Sequence, residues 1–388
     1  MSSTESHLKE YVHLLLESDP ELEEWSALFD QARTNWDIPF AQHLLQQAKQ
    51  HELSEYTRAL VYQADGLLAS QYGDLLRAIK RLQTSLHHFE KLRKFQDVLF
   101  TYGQLGMLYR AQGELKTAID YHSRQMALAS QLGILEWQVN SHKELGFDYY
   151  ELGELRQADS ILENGLNLAV APEDIAELHN TIGLVAWQEG NLQKAAIHFE
   201  EALQRFQELE LEYPAAQARA NLGNIAFASN NIQHAIEYYS QTLEIFNEMG
   251  VVFDKVGLLN NLGGIALQQD NYESAQTYFQ ESLNLAVEMG DQIGIQNALI
   301  NLGVIALRQG NYPHAIANYH KVVSMSKEIG NHSIARLVYR KIARLELIWW
   351  LESLRKLLKG DRADTWGEAM NHLLRSVSYL IRASFLSA

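Results

Sequence analysis

The 388-residue sequence predicts an all-α protein built from repeated helix pairs, an α-solenoid. Three observations lead there. A motif recurs about every forty residues. Apolar residues inside each copy fall at spacings of three and four, the helical period. Only five prolines interrupt the chain, so long helices are unobstructed.

The period is read from small residues. A glycine stands at Gly66, Gly106, Gly146, Gly183, Gly223, Gly263 and Gly303, with spacings of 40, 40, 37, 40, 40 and 40. Seven residues on comes a helix breaker: Gly73, Gly113, Gly153, Gly190, Asn230, Asp270 or Gly310. Twelve on is always alanine, from Ala78 to Ala315, and twenty on is always apolar, from Leu86 to Val323. Each copy therefore reads as helix A, a tight turn, helix B and a second turn, the last often marked by Gly133, Gly250, Gly290 or Gly330. Glycine inside a helix costs roughly 1 kcal/mol against alanine. Seven such costs are consistent with close approach of helix B, with the alanine as its matching small surface. The large residues sixteen on (Phe199, Tyr239, Phe279, Tyr319) are expected to fill the space between neighbouring pairs.

The ends depart from the pattern. Residues 1–53 read as N-terminal helices with a degenerate repeat: Trp25-Ser26 lies forty residues before Asp65-Gly66, and a second helix covers Ile38–Glu52. Residues 54–332 hold seven repeats, the third shortened by three residues near Pro172. Residues 333–388 read as a helical hairpin, one helix over 334–358 with Trp349-Trp350, a turn at Gly360-Asp361, and one over 365–386 with apolar Trp366, Met370, Leu373, Leu374, Val377, Ile381 and Phe385. A solenoid's last repeat needs a cap. Adjacent tryptophans point about 100° apart, so one is expected against the last repeat and the other against the returning helix. The competing reading is a second docking face, because the segment from 334 carries ten Lys/Arg against five Asp/Glu while the remainder is −21.

Composition excludes several classes of function. Without cysteine there is no disulfide scaffold, thiolate metal site or Cys nucleophile. A net charge of −16 argues against broad binding to nucleic acid or anionic lipid. No stretch of about 18 uncharged apolar residues occurs, so no membrane span is expected. The first residues lack a basic region before their apolar run, unlike a signal peptide, which makes the cytoplasm the expected compartment. Sixteen of 23 glycines are spent on repeat positions, and no phosphate-binding glycine loop is present. His51-Glu52 begins a zinc-type motif that Glu55 fails to complete. No enzyme, cofactor or metal is expected.

The copy LLNNLGGIALQQDNYESAQTYFQESLNLAVEMGD, with its Leu-Gly, alanine and aromatic pattern, resembles the tetratricopeptide repeat (TPR) superfamily. The long unit is similar to that of Pins-type polarity scaffolds, kinesin light chains and bacterial peptide-sensing regulators. The resemblance covers roughly residues 54–332, about 70% of the chain. It implies a right-handed TPR superhelix of about seven helix pairs, with a degenerate N-terminal pair and C-terminal capping helices. It also implies that helix A lines a concave groove holding an extended segment of a protein or peptide partner.

On that face, two residues before the repeat glycine, stand Asn221, Asn261 and Asn301 in successive copies. Asn180 and Asn260 lie one residue earlier, Asn224 follows Gly223, and Asn140 and Asn297 precede their glycines by six. A side-chain amide offers two donors and an acceptor, so a row of them can hold a peptide backbone, as in the asparagine ladders of related superhelices. Lys143 and Arg308 are candidate specificity residues beside it. The Lys/Asn set of a C-terminal carboxylate clamp is absent. The function expected is a scaffold or adaptor binding an extended peptide. The alternative is a peptide-responsive regulator whose end helices rearrange.

Overall fold

Each stretch that the forty-residue pattern assigns to helix between 54 and 332 is helix in the computed structural model, which describes residues 54–358 and 366–385. The expected degenerate pair before residue 54 and the turn at Gly360-Asp361 lie outside the described residues. The chain divides into two compact units, Met1–Glu210 and Leu211–Ala388.

In the first unit the helices are α1 (Glu55–Gln71), α2 (Leu75–Lys91), α3 (Phe95–Ala111), α4 (Leu115–Leu132), α5 (Leu135–Leu152), α6 (Leu155–Leu168), α7 (Pro172–Gln188) and α8 (Leu192–Glu208). In the second they are α9 (Glu212–Ala228), α10 (Ile232–Glu248), α11 (Phe253–Gln268), α12 (Tyr272–Met289), α13 (Gln292–Arg308), α14 (Tyr312–Glu328), α15 (His332–Leu358) and α16 (Trp366–Phe385). Odd-numbered helices up to α13 are A helices, and each packs on the B helix that follows it. Among the described residues there is no strand. No described helix is long and apolar enough to cross a membrane.

The turns follow from the breakers. Asn230 and Asp270 adopt φ of 58° and 56°, and the glycines at the same position lie in the same left-handed region. Asn and Asp tolerate that conformation better than other non-glycine residues. The chain reversal lets the next amide close helix A, as when Asn271 N–H donates to Ala266 C=O at 2.9 Å. The same Asn271 then caps helix B by accepting from Ser274 N–H at 3.2 Å. The three-residue deletion shortens α6 to 14 residues, and Pro172 starts α7 at its first turn, where its missing N–H costs nothing.

Packing refines one expectation. The seven alanines of the repeat are fully buried. The residues sixteen on lie over the glycine of their own pair and also pack on the next pair, Tyr239 with Leu258 and Leu262 and Phe279 with Leu302 and Ile305. A Cβ built on Gly66 would meet Leu82 Cγ at 2.8 Å, on Gly183 Phe199 Cδ1 at 2.8 Å, and on Gly263 Phe279 Cε1 at 2.7 Å. The glycine thus makes room for a large side chain from helix B. A second recurrent contact is polar and buried. Nineteen residues after the glycine, Ser85, Gln125 and Ser282 donate to carbonyls of helix A at Ala59 (2.8 Å), Leu99 (2.8 Å) and Val256 (3.2 Å).

The last two helices fold as a hairpin on α14. Trp349 takes both expected partners by itself, stacking on Tyr312 of α14 (centroids 5.7 Å) and on His372 of α16 (3.8 Å). Tyr379 reaches back to His320 Nε2 at 2.9 Å, and Ala383 joins the cluster containing Tyr319, Val323, Val338 and Ile342. The face of α16 that makes these contacts is small and polar: Ala369, His372, Ser376 and Ala383 are buried. Of the apolar positions of this helix, Met370, Leu374, Val377 and Ile381 face solvent.

Candidate functional site

In the second unit, Asn221, Asn261 and Asn301 sit on α9, α11 and α13 at one position of the A helix, each one residue before a buried leucine. The neighbours Leu222, Leu262 and Leu302 point into the core, and a step of about 100° on a helix then turns the asparagines outward. Asn221 and Asn301 are half-buried and Asn261 is exposed. Asn261 Nδ2 donates to Asn224 Oδ1 at 3.1 Å, and the same oxygen accepts from the Tyr239 hydroxyl at 2.7 Å. This trio ties α9, α10 and α11 together. Burial pushes the Tyr239 hydroxyl up to about 12, so it remains a donor at any physiological pH.

The other candidates separate into inward and outward groups. Asn260 turns inward: its Nδ2 donates to Val256 C=O and to Ser282 Oγ, both at 2.9 Å, while its buried Oδ1 has no partner. Asn297 is exposed on α13. Arg308, at the end of α13, is exposed and forms no ion pair among the described residues. Arg219 on α9 is half-buried, and its Nη1 is buried without a hydrogen-bond partner. Burial depresses its pKa, opposed only by Tyr238.

In the first unit, Asn140 on α5 and Asn180 on α7 are half-buried, and the Asn180 Oδ1 is buried without a partner. Lys143 reaches from α5 to Asp174 and Glu177 of α7, at 2.6 Å each. Burial works against its charge, yet the two carboxylates outweigh that and raise its pKa. Arg110 of α3 pairs likewise with Glu144 (2.7 Å) and Asp148 (2.9 Å) of α5, and the buried Asp148 also holds His122 Nδ1 at 2.6 Å. Successive A helices of this unit are thus cross-linked by charge. Sequence reasoning missed these bridges, although one signal was present: His122 occupies the place over the glycine where every other copy has Leu, Phe or Tyr. Among the described residues no three His, Asp or Glu side chains come together as metal ligands.

The tetratricopeptide repeat model matches residues 174–248 and 256–328, and a second tetratricopeptide repeat model matches 101–136. Among curated proteins none matches the sequence. Similar solved structures share the fold at low identity. The apo form of the quorum sensor NprR from B. thuringiensis is 15% identical, with a TM-score of 0.62 over 97% of this chain and 100% of that one. The Rap conjugation gene regulator of plasmid pLS20, in complex with the Phr* peptide, is 13% identical, with a TM-score of 0.51 over 94% and 95%. BtubC (BKLC) from P. vanneervenii is 21% identical, with a TM-score of 0.50 over 56% and 92%.

Proposed function

We propose that this chain, which belongs to the tetratricopeptide repeat superfamily, is a binding scaffold that holds an extended peptide segment of a partner along its A helices. The observation that carries the reading is the row Asn221, Asn261 and Asn301, outward-facing at one repeat position on α9, α11 and α13. Backbone N–H and C=O groups of an extended peptide are the partners that regularly spaced amides satisfy best. The Asn224–Tyr239 pair holds Asn261 in place beforehand, which lowers the ordering cost of binding. Arg308 is the cation available to a peptide carboxylate, whereas Lys143 would have to exchange Asp174 and Glu177 for one. The scaffold binds rather than catalyses.

A second reading is a peptide-responsive regulator. It is favoured by the extent of the likeness to the quorum sensor NprR, which spans nearly the whole of both chains, and by the Phr* peptide bound to the pLS20 Rap protein.

The test begins with a peptide selected from a random library displayed on phage. Calorimetric titration then compares wild type with the triple variant Asn221→Ala, Asn261→Ala, Asn301→Ala. At roughly 0.5–1.5 kcal/mol per hydrogen bond, the variant should bind about 1.5–4.5 kcal/mol more weakly. Its melting temperature should change little, because the helix propensity gained with alanine offsets the one Asn261–Asn224 hydrogen bond lost. Unchanged affinity would remove the row as the site; a collapsed melt would make these residues structural. Small-angle scattering with and without the peptide separates the two readings, since a regulator changes shape and a static adaptor does not.

A further inference from the structure

Helix α16 packs through a small, polar face and leaves an apolar one uncovered. The inner face rests on α15: Ala369 and Ala383 are buried, Ser376 Oγ donates to Ala343 C=O at 2.9 Å, and His372 Nδ1 lies 2.6 Å from Glu346 Oε2. The outer series Met370, Leu374, Val377 and Ile381 is 50%, 62%, 47% and 51% exposed. Its spacing is four, three, four. At about 100° per residue these side chains share an arc of roughly 60°, and Leu380, 49% exposed, extends it towards the inner face. A helix that is apolar on its outer face belongs inside something. The covalent chain does not need this series to build the hairpin, since the inner face does that with small and polar residues.

The surroundings of the stripe name the occupant. Four-three-four spacing is the seam of a two-helix coiled coil, so the matching shape is another helix. Its charge follows from the hairpin. Among the described residues of α15 and α16, six exposed cations stand against two exposed carboxylates, with Arg340, Arg344 and Arg355 on α15 and Arg375 and Arg382 on α16. The third carboxylate, Glu346, is buried with His372. A second copy would bring the same positive face against itself, because a two-fold contact is isologous. A bilayer is the poorer fit: the chain as a whole carries −16, so an extended anionic lipid surface repels it, whereas a single helix meets only the basic hairpin.

We propose that the outer face of α16 is a docking site for an acidic amphipathic helix of a partner protein. The site is separate from the asparagine row and would engage a helical rather than an extended segment.

The experiment uses the full chain and a fluorescent synthetic helix of about three heptads, leucine at the seam and glutamate at the flanks. A second peptide carries lysine in place of glutamate. Anisotropy should show the acidic peptide binding and the basic one not, with affinity falling as salt is added. Leu374→Gln with Val377→Gln should weaken binding about tenfold or more, as loss of central seam contacts does. Arg344→Glu with Arg382→Glu, which spares the Arg375 that faces buried Glu346, should reverse the preference between the peptides. Melting temperatures of both variants should match wild type, and the triple asparagine variant should bind the helix normally. The proposal is overturned if wild type ignores the acidic peptide, if the variants bind it equally well, or if they melt lower, which would place the stripe inside the fold. It is also overturned if sedimentation shows a dimer that the Gln pair abolishes, or if phosphatidylserine vesicles bind wild type but not the Gln pair.

Discussion

At the residue scale the repeat glycine is explained by what lies on it. Gly263 leaves room for the Phe279 ring, and a methyl group there would stand 2.7 Å from Phe279 Cε1. Gly263→Ala should therefore cost about 1–3 kcal/mol through overpacking. The adjacent Gly264 is a built-in control, because a Cβ there meets nothing within 4 Å. Gly264→Ala should stabilise by up to about 1 kcal/mol, the helix propensity difference. Urea unfolding of the two variants checks both signs. A second residue-scale case is the pair His179 and His198, whose Nδ1 atoms lie 2.9 Å apart between α7 and α8. Burial lowers both pKa values; His198 lowers that of His179 further and Lys194 that of His198, while Glu163 and Glu201 oppose the shift in both. The folded state thus favours the neutral rings. The unfolded chain binds more protons at mildly acidic pH, so the pair's contribution is complete above pH 6.5 and is lost as pH falls below it. The sixth copy carries Leu259 and Tyr278 at the same two positions. His179→Leu with His198→Tyr should flatten the loss of melting temperature between neutral and mildly acidic pH, leaving the part due to His320, which burial also depresses.

At the scale of elements, the first unit joins its A helices by charge. In the bridge centred on Asp148, Asp148 and His122 are fully buried and Arg110 is mostly buried. Removing Asp148 leaves the buried His122 without its carboxylate while Arg110 keeps Glu144, and breaking a buried pair costs about 3–5 kcal/mol. Asp148→Ala should lower stability by that order. Lys143→Ala should cost only about 1 kcal/mol or less, because Glu177 on the far side is half exposed and water replaces the ammonium. Denaturant titrations of the two variants give the contrast. In the second unit the A helices meet instead through hydrogen bonds, Asn261 with Asn224 and the Tyr213 hydroxyl donating to the Asp254 carboxylate at 2.8 Å. That leaves the amide row free of strong internal ion pairs.

At the scale of the molecule, helix pairs contact mainly their neighbours in sequence, so stability is a sum of local terms. Hydrogen exchange in Gly263→Ala should lose protection around 220–310 and keep it elsewhere; uniform loss would mean one cooperative core. The hairpin of α15 and α16 covers the last repeat, where Tyr319, Val322 and Val323 are buried in a cluster shared with Val338 and Ala383. A chain ending at Gly330 would bare those side chains. It should melt earlier and associate, as read by calorimetry and sedimentation.

The period of small residues by itself determined that this chain is a series of helix pairs, where each pair turns, and which glycines and alanines lie at the interface, because close helix contact leaves a mark at fixed intervals. The row at Asn221, Asn261 and Asn301 was legible in the same way, as an equal offset from the glycine. Three matters needed the tertiary structure. Which side chain fills the space above each glycine depends on the approach of helix B, and the residue sixteen on proved to cover its own glycine as well as reach the next pair. Which candidates face outward depends on partners distant in sequence, so Asn260 turns to Ser282 and Lys143 to Asp174 and Glu177. Which face of α16 packs could not be read from hydropathy, because α15 offers a carbonyl at Ala343 and a carboxylate at Glu346. Those groups take Ser376 and His372, and the more apolar stripe is left to the solvent.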